Sequence, residues 1–214
     1  MAHARIVSVN TGGICDLVIG GKPGKSAIDK RPVRERLWVG SLGLAGDDHA
    51  DSEHHGGTEQ AVYAYAREDL DWWTEQLARE LRNGEFGENV TTAGLDITTA
   101  LIGETWRMGS AVVQVTSPRI PCGTFQSWTG EQHWVKRFAA AGRPGAYLRV
   151  LTEGAIAAGD DVEVLGRPDQ RVTVAEAMRA FYGDPELMRV LLTVPGRDPQ
   201  WDEIGERVLG RAMA

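Results

Sequence analysis

The sequence predicts a mostly β protein with inserted helices, of the α+β class: a β-barrel over residues 1–167, then a small three-helix module over 168–214. Three observations carry this. The first part alternates short apolar runs with breaks, and 26 glycines and 9 prolines in 214 residues favour strands and turns over long helices. Within that part, helical three-and-four spacing is confined to a couple of stretches. From Val172 the pattern turns helical, and two of its segments open on Asp-Pro, an N-cap followed by the residue best tolerated in a first helical turn.

Taken in order, "ARIVSVN" and "CDLVIGG" read as strands separated by Thr11-Gly12-Gly13, a hairpin-like signal. "RPVRERLWVGSLG" puts Val33, Leu37 and Val39 on one parity and reads as an extended strand with its basic residues toward solvent. "QAVYAYA", Gln60 to Ala66, suits a buried strand. "AREDLDWWTEQLAREL" follows as a helix burying Leu70, Trp73, Leu77 and Leu81, with Glu68, Asp69 and Asp71 at its dipole-favoured start and Asn83-Gly84 as its stop. "TWRMG", "AVVQVT", "AYLRVL" and "DVEVL" are further strands, and "EQHWVKRFAAAG" is a short helix with Trp134, Val135 and Phe138 inward. Three helices, in "VTVAEAMRAFY", "DPELMRVLLTV" and "DPQWDEIGERVLGR", complete the chain.

Composition narrows the function. A formal net charge of -7 argues against sequence-independent nucleic-acid binding, which draws on basic side chains. The C-terminal residues 171–214 repeat this, with six arginines against seven acidic residues. No apolar run approaches the ~18 residues of a spanning helix, and the N-terminus reads straight into a strand, so a cytoplasmic protein without a membrane partner is expected. Two cysteines, Cys15 and Cys122, make no disulfide framework. Cys15, at the start of a strand, reads as packing.

Cys122 sits differently. In "TSPRIPCGTF" the strand ends at Thr116, and Pro118 and Pro121 cannot donate to a continuing ladder. Arg119 lies three residues earlier, so a turn can bring a guanidinium to the sulfur, and a nearby cation favours the thiolate, which is both nucleophile and soft-metal ligand. A half-buried loop cysteine without a role accounts equally for these residues. Upstream, His49, His54 and His55 cluster with Asp47, Asp48, Asp51 and Glu53, a zinc-type group or a solvated acidic loop. His55-Gly56-Gly57 also lets backbone N–H groups approach a ligand. The basic island Lys22 to Arg36, which includes Lys25 and Lys30, could receive a phosphate. Asn89 follows a glycine turn in "FGENVT", and Arg149 interrupts an apolar strand, facing either solvent or an anion.

In order, "SAIDKRPV", "GLAGDDHADSEHHGGTEQAVYAY", "FGENVTTAGLD", "IGETWRMGSAVVQVTSPRIPC" and "GAYLRVLTEGAIAAGDDVEV" resemble the MOSC domain family, related to the C-terminal domain of molybdenum-cofactor sulfurases, and within it the YiiM-like subgroup. The resemblance spans nearly the whole chain. It implies a MOSC-type β-barrel holding a molybdenum cofactor (molybdopterin), a group easily lost on purification. Cys122 is then the protein ligand to molybdenum and the catalytic residue. Lys30, His55, Gly56, Gly57, Asn89, Arg119 and Arg149 are the residues implied to bind the cofactor. The implied activity is reduction of small N-hydroxylated compounds, such as N-hydroxylated base analogues, with electrons from a separate reductase; a homodimer is compatible with it. A redox metal held by a thiolate suits removal of oxygen from an N–OH group. "GTFQSW" after the cysteine is expected to set substrate access, and the C-terminal helices to form a lid or reductase-docking surface. The alternatives are a sulfur or molybdenum-cofactor carrier using Cys122, and a zinc-binding protein using the His49–His55 cluster.

Overall fold

Burial along residues 111–118 shows how the sheet is built. Ala111, Val113 and Val115 are buried while Val112 and Gln114 are half-buried, the two-residue period of a strand packed on one face. In this computed structural model, which describes residues 3–48, 50 and 57–212, that strand lies near the middle of a mixed eight-stranded sheet. The chain enters through β1 (Arg5–Thr11) and then makes a separate hairpin of β2 (Cys15–Ile19) and β3 (Lys22–Ser26). β4 (Arg31–Val33) returns to pair with β1, Val9 facing Val33. β5 (Leu37–Gly40) and β6 (Gly43–Leu44) leave the main sheet, and a 3-10 turn at Thr58–Gln60 leads into β7 (Val62–Ala66) and α1 (Arg67–Leu77).

β8 (Val90–Ala93) runs parallel to β7; the other pairs of the sheet are antiparallel. β9 (Thr105–Met108) and β10 (Ala111–Pro118) form a hairpin, after which α2 (Gly123–Thr129) and α3 (Trp134–Ala141) precede β11 (Ala146–Thr152), β12 (Gly154–Ile156) and β13 (Val162–Gly166). The strand order is β13-β9-β10-β11-β7-β8-β1-β4, with β12-β5-β6 as a small second sheet. The ends approach at a seam: Arg5 bridges Asp161, the Ile6 N–H donates to Asp160 O (2.8 Å), and the Val162 N–H to Ala4 O (2.9 Å). The expected α+β class holds; at that seam β1 and β13 meet through one bridge and a few backbone bonds rather than a full ladder, so the sheet is not a closed barrel.

Several local expectations change. The hairpin turn is not Thr11-Gly12-Gly13 but Gly20-Gly21, whose φ of 56° and 82° fit the positive-φ turn a two-residue hairpin needs. The extended stretch at residues 31–43 is split between sheets, and between its halves Arg36 forks onto Asp160 with two 2.7 Å bonds. α1 ends at left-handed Ala78 rather than near Asn83-Gly84. Side chains take over beyond it: Thr74 Oγ1 accepts from the Leu81 N–H (3.3 Å) and Arg67 donates to Leu81 O (3.0 Å), so Leu81 is buried outside the helix. Cys15 is exposed, not packed.

Two apolar clusters hold the layers together. One fills the inside of the sheet and runs on into α4 (Val174–Phe181), α5 (Pro185–Leu191) and α6 (Trp201–Ala212), through Val174, Met188, Leu191 and Trp201. α4 carries a capping box between Thr173 and Glu176, and Asp184 caps α5 ahead of Pro185. The other cluster is aromatic: Tyr65, Trp73, Phe86, Phe125, Trp134 and Phe138 knit α1, α2 and α3 to β7, with Trp73 and Trp134 centroids 4.6 Å apart. Among the described residues no helix is long and apolar enough to cross a membrane.

Candidate functional site

The end of β10 and the start of α2 place the thiol. β10 runs two residues past Thr116, with Ser117 facing Tyr147 and Pro118 facing Ala146. The chain then breaks at Pro121, and Cys122 takes an extended conformation (φ -128°, ψ 175°) as the residue before α2. Its carbonyl accepts the Gln126 N–H at 3.1 Å, and fully buried Phe125 pins the helix to the aromatic cluster. The spacing of "GTFQSW" did not announce this helix, because seven residues give too little periodicity. Half-buried Cys122 thereby faces a cavity of about 220 Å³, shared with Lys25, Lys30, Tyr63, Asn89 and Arg119.

Arg119 is 5% exposed, and its guanidinium carbon lies 3.9 Å from the centroid of the Phe125 ring. It donates to the Ile120 carbonyl at 3.1 Å, and no carboxylate among the described residues pairs with it. The cation is held over an aromatic face with donors to spare. Tyr63 and Tyr147 also line the cavity; burial pushes both phenols up, against a lowering pull from Arg119, so both keep their protons through the neutral range.

Lys30 and Asn89, which also line the cavity, are held by Asp47, whose side chain is fully buried. Its carboxylate accepts from Lys30 Nζ (2.5 and 2.6 Å), the Gly12 N–H (2.8 Å) and Asn89 Nδ2 (2.8 Å). Asn89 Oδ1 accepts the Tyr63 N–H at 3.0 Å, so both ends of that amide are engaged. Below it, buried Glu88 accepts from the Gly84 N–H (2.5 Å), the Phe86 N–H (3.0 Å) and Thr91 Oγ1 (2.9 Å), which fixes the "FGEN" turn. Burial pushes the Glu88 carboxyl up, and these bonds pull against the rise. Gly84 has φ 81° and packs on the Lys30 carbonyl so closely that a Cβ would collide with it.

The structure therefore brings Lys30, Asn89, Arg119 and Cys122 to one cavity. Gly57 (φ 79°) starts the Thr58–Gln60 turn and is not part of the lining, whereas Gln60 is. Arg149 lies elsewhere: it pairs with Glu59 and donates to the Gly196 and Arg197 carbonyls, each at 2.9 Å. His49, His54, His55 and Gly56 lie outside the described residues, among which no cluster of three or more His, Cys, Asp or Glu could hold a metal ion. Asp47, Glu88, Tyr63 and Tyr147 are the site residues that sequence reasoning did not assign. Asp47 stands in the acidic loop noted there, but its partners come from three distant segments.

Fold and cavity together define an α+β protein with a cationic, thiol-bearing pocket at the ends of central strands β7, β10 and β11. The chain belongs to the MOSC domain family, whose model matches residues 51–163. It is 37% identical over 179 residues to the uncharacterized protein YflK of Bacillus subtilis, covering 84% of this chain and 81% of that one. A fungal protein named reductase, from Gibberella moniliformis, is 32% identical over 180 residues; the match covers 82% of this chain and 32% of that protein. The crystal structure of YiiM from Geobacillus stearothermophilus superposes with a TM-score of 0.80 at 28% identity, covering 96% of this chain and 99% of that one.

Proposed function

We propose that this chain is a molybdenum-cofactor-dependent reductase of small N-hydroxylated compounds, with Cys122 as the protein ligand to molybdenum. Family membership and the reductase-named relative fit a molybdenum-cofactor-associated role. The observation that carries the finer reading is that Arg119 and Cys122 both line one cavity. A buried guanidinium without a carboxylate is costly unless an anion reaches it, and the phosphate of a pterin cofactor supplies that anion beside a soft sulfur donor. The residues present fit the group on both counts.

When bound, the cofactor supplies the two electrons that break an N–O bond, with two protons taken up and water released. A separate reductase replaces the electrons. The chain's own residues do the rest. Arg119 and Lys25 draw the anionic part of the cofactor into the cavity, and Lys30 and Asn89, clamped by Asp47, keep the far wall in shape. Tyr63 and Tyr147, held protonated by burial, line the cavity with neutral phenols.

Protein purified from a cofactor-competent host is expected to contain stoichiometric molybdenum and to reduce an N-hydroxylated purine with an artificial electron donor. Cys122→Ala is expected to lose both. Metal-loaded protein that gives no turnover but releases cyanide-labile sulfur overturns the enzyme in favour of a carrier. Zinc that survives Cys122→Ala but not the double change His54→Ala with His55→Ala overturns both.

A further inference from the structure

The cavity that Cys122 faces measures about 220 Å³, below the roughly 300–1,000 Å³ of sites that enclose drug-sized ligands. An occupant the size of a pterin cofactor therefore needs a wall that gives way. Most of the lining is fixed. Tyr63, Phe86 and Tyr147 pack in or against the aromatic cluster, and Lys30 and Asn89 are bound to Asp47.

The side lined by Ile19, Lys25 and Ser26 is built differently. These residues belong to the β2–β3 hairpin, which forms a sheet of its own. Its side chains Leu17, Val18 and Ile19 join neither apolar cluster. Beyond its own ladder, two hydrogen bonds tie residues 13–25 to other described residues: the Ile14 N–H to Asp48 Oδ2 (3.4 Å) and the Gly20 N–H to Ser127 Oγ (3.2 Å). A two-stranded hairpin is marginally stable by itself, so one resting on so few contacts opens readily. Both ends are anchored. The Gly12 N–H donates to Asp47, and Gly12 packs so closely on the Asp29 carbonyl that a Cβ would collide with it. At the other end Ser26 is buried, and its Oγ accepts the Ile28 N–H (3.2 Å) beside the aromatic cluster. Gly13, next to the first anchor, is loosely surrounded: a Cβ there would meet only the Asp48 carboxylate, at 3.8 Å.

We propose that the β2–β3 hairpin is a lid over the Cys122 cavity, hinged at Gly13 and Ser26 and latched on α2 by the Gly20–Ser127 bond. Open, it admits the cofactor; closed, as in this structure, it lines the cavity with Ile19 and Lys25. α2 serves as the post for the latch because Phe125 fixes it in the aromatic cluster. The cofactor as occupant rests on the proposed reductase; the hinged motion does not.

The test locks the lid. In a Cys15→Ser parent, Gly20→Cys with Ser127→Cys joins hairpin to α2 when oxidised, and the reduced form carries the same strain at Gly20 (φ 56°) without the lock. The readout is the rate at which a bulky maleimide labels Cys122 in the metal-free chain, followed on the Cys122 peptide. Oxidation is expected to slow labelling at least about tenfold against the parent and reduction to restore it, while Ser127→Ala alone speeds it about 3- to 10-fold through loss of one hydrogen bond. Oxidised after loading, the double variant is expected to lose molybdenum on dialysis at least about tenfold more slowly than when reduced. Labelling of the oxidised form no slower than that of the parent overturns the lid; the reductase stands if the parent still reduces an N-hydroxylated purine. Wild type that takes up no molybdenum, while the lock still blocks Cys122 labelling, overturns the reductase and leaves the lid standing.

Discussion

The two walls of the Cys122 cavity are built on opposite plans. On one, Asp47 ties down Lys30, Asn89 and the Gly12 backbone, so each polar head is spent on the protein itself. On the other, Arg119 rests on a phenylalanine ring with no carboxylate partner among the described residues, beside a half-buried thiol. The lesson is that lining a cavity and binding its occupant are different jobs. On the proposed function, the clamped residues keep the cavity's shape, and Arg119 and Cys122 meet the ligand.

That contrast predicts opposite signatures for substitutions on the two sides. The largest effect on stability belongs to Asp47→Ala, which strands a buried lysine; urea denaturation is expected to show a loss of about 3–5 kcal/mol. Arg119→Gln is expected to behave conversely. Apo-protein stability should hold or rise, because a buried charge with no carboxylate partner among the described residues is gone, while molybdenum-cofactor retention on dialysis falls about 10- to 100-fold. Equal melting losses in both variants would erase the distinction. Gly84→Ala strains a φ of 81° and pushes on the Lys30 carbonyl; a loss of about 1–3 kcal/mol is expected in the same denaturation series.

The smallest effect is a pH slope. Burial raises the Glu88 carboxyl above its ordinary 4.5, so the folded state holds its proton longer than the unfolded chain. Stability contributed by the protonated form is therefore present below the ordinary value and is lost as pH rises through the folded one. Denaturation midpoints across mildly acidic pH should show that fall in wild type and a smaller one in Glu88→Gln, where Asp69, also raised by burial, still contributes.

How much of this could be read beforehand depended on whether a feature was local. Cys122 and Arg119 were legible because Pro118 and Pro121 mark where the strand must end, and Lys30 and Asn89 because short motifs flag them. Asp47 was not, since its partners lie 17, 35 and 42 residues away and only the fold joins them. Arg149 was rightly noticed in an apolar strand, yet what it faces, Glu59 and a turn before α6, is set by a C-terminal segment whose docking leaves no periodic signal. The strand alternation was plain, but the seam between β1 and β13 rests on a few backbone bonds between chain segments far apart. The split of residues 31–43 between two sheets is likewise accompanied by a contact from far along the chain, Arg36 on Asp160.

The central claim is that molybdenum sits on the sulfur of Cys122 while the Asp47 wall only shapes the cavity. X-ray absorption at the molybdenum edge tests it directly, on metal-loaded wild type, Cys122→Ser and Asp47→Asn. The account predicts that the serine variant loses a sulfur neighbour or loses the metal altogether, and that any molybdenum kept by the Asp47 variant shows an unchanged sulfur shell. An unchanged sulfur shell in Cys122→Ser would contradict it.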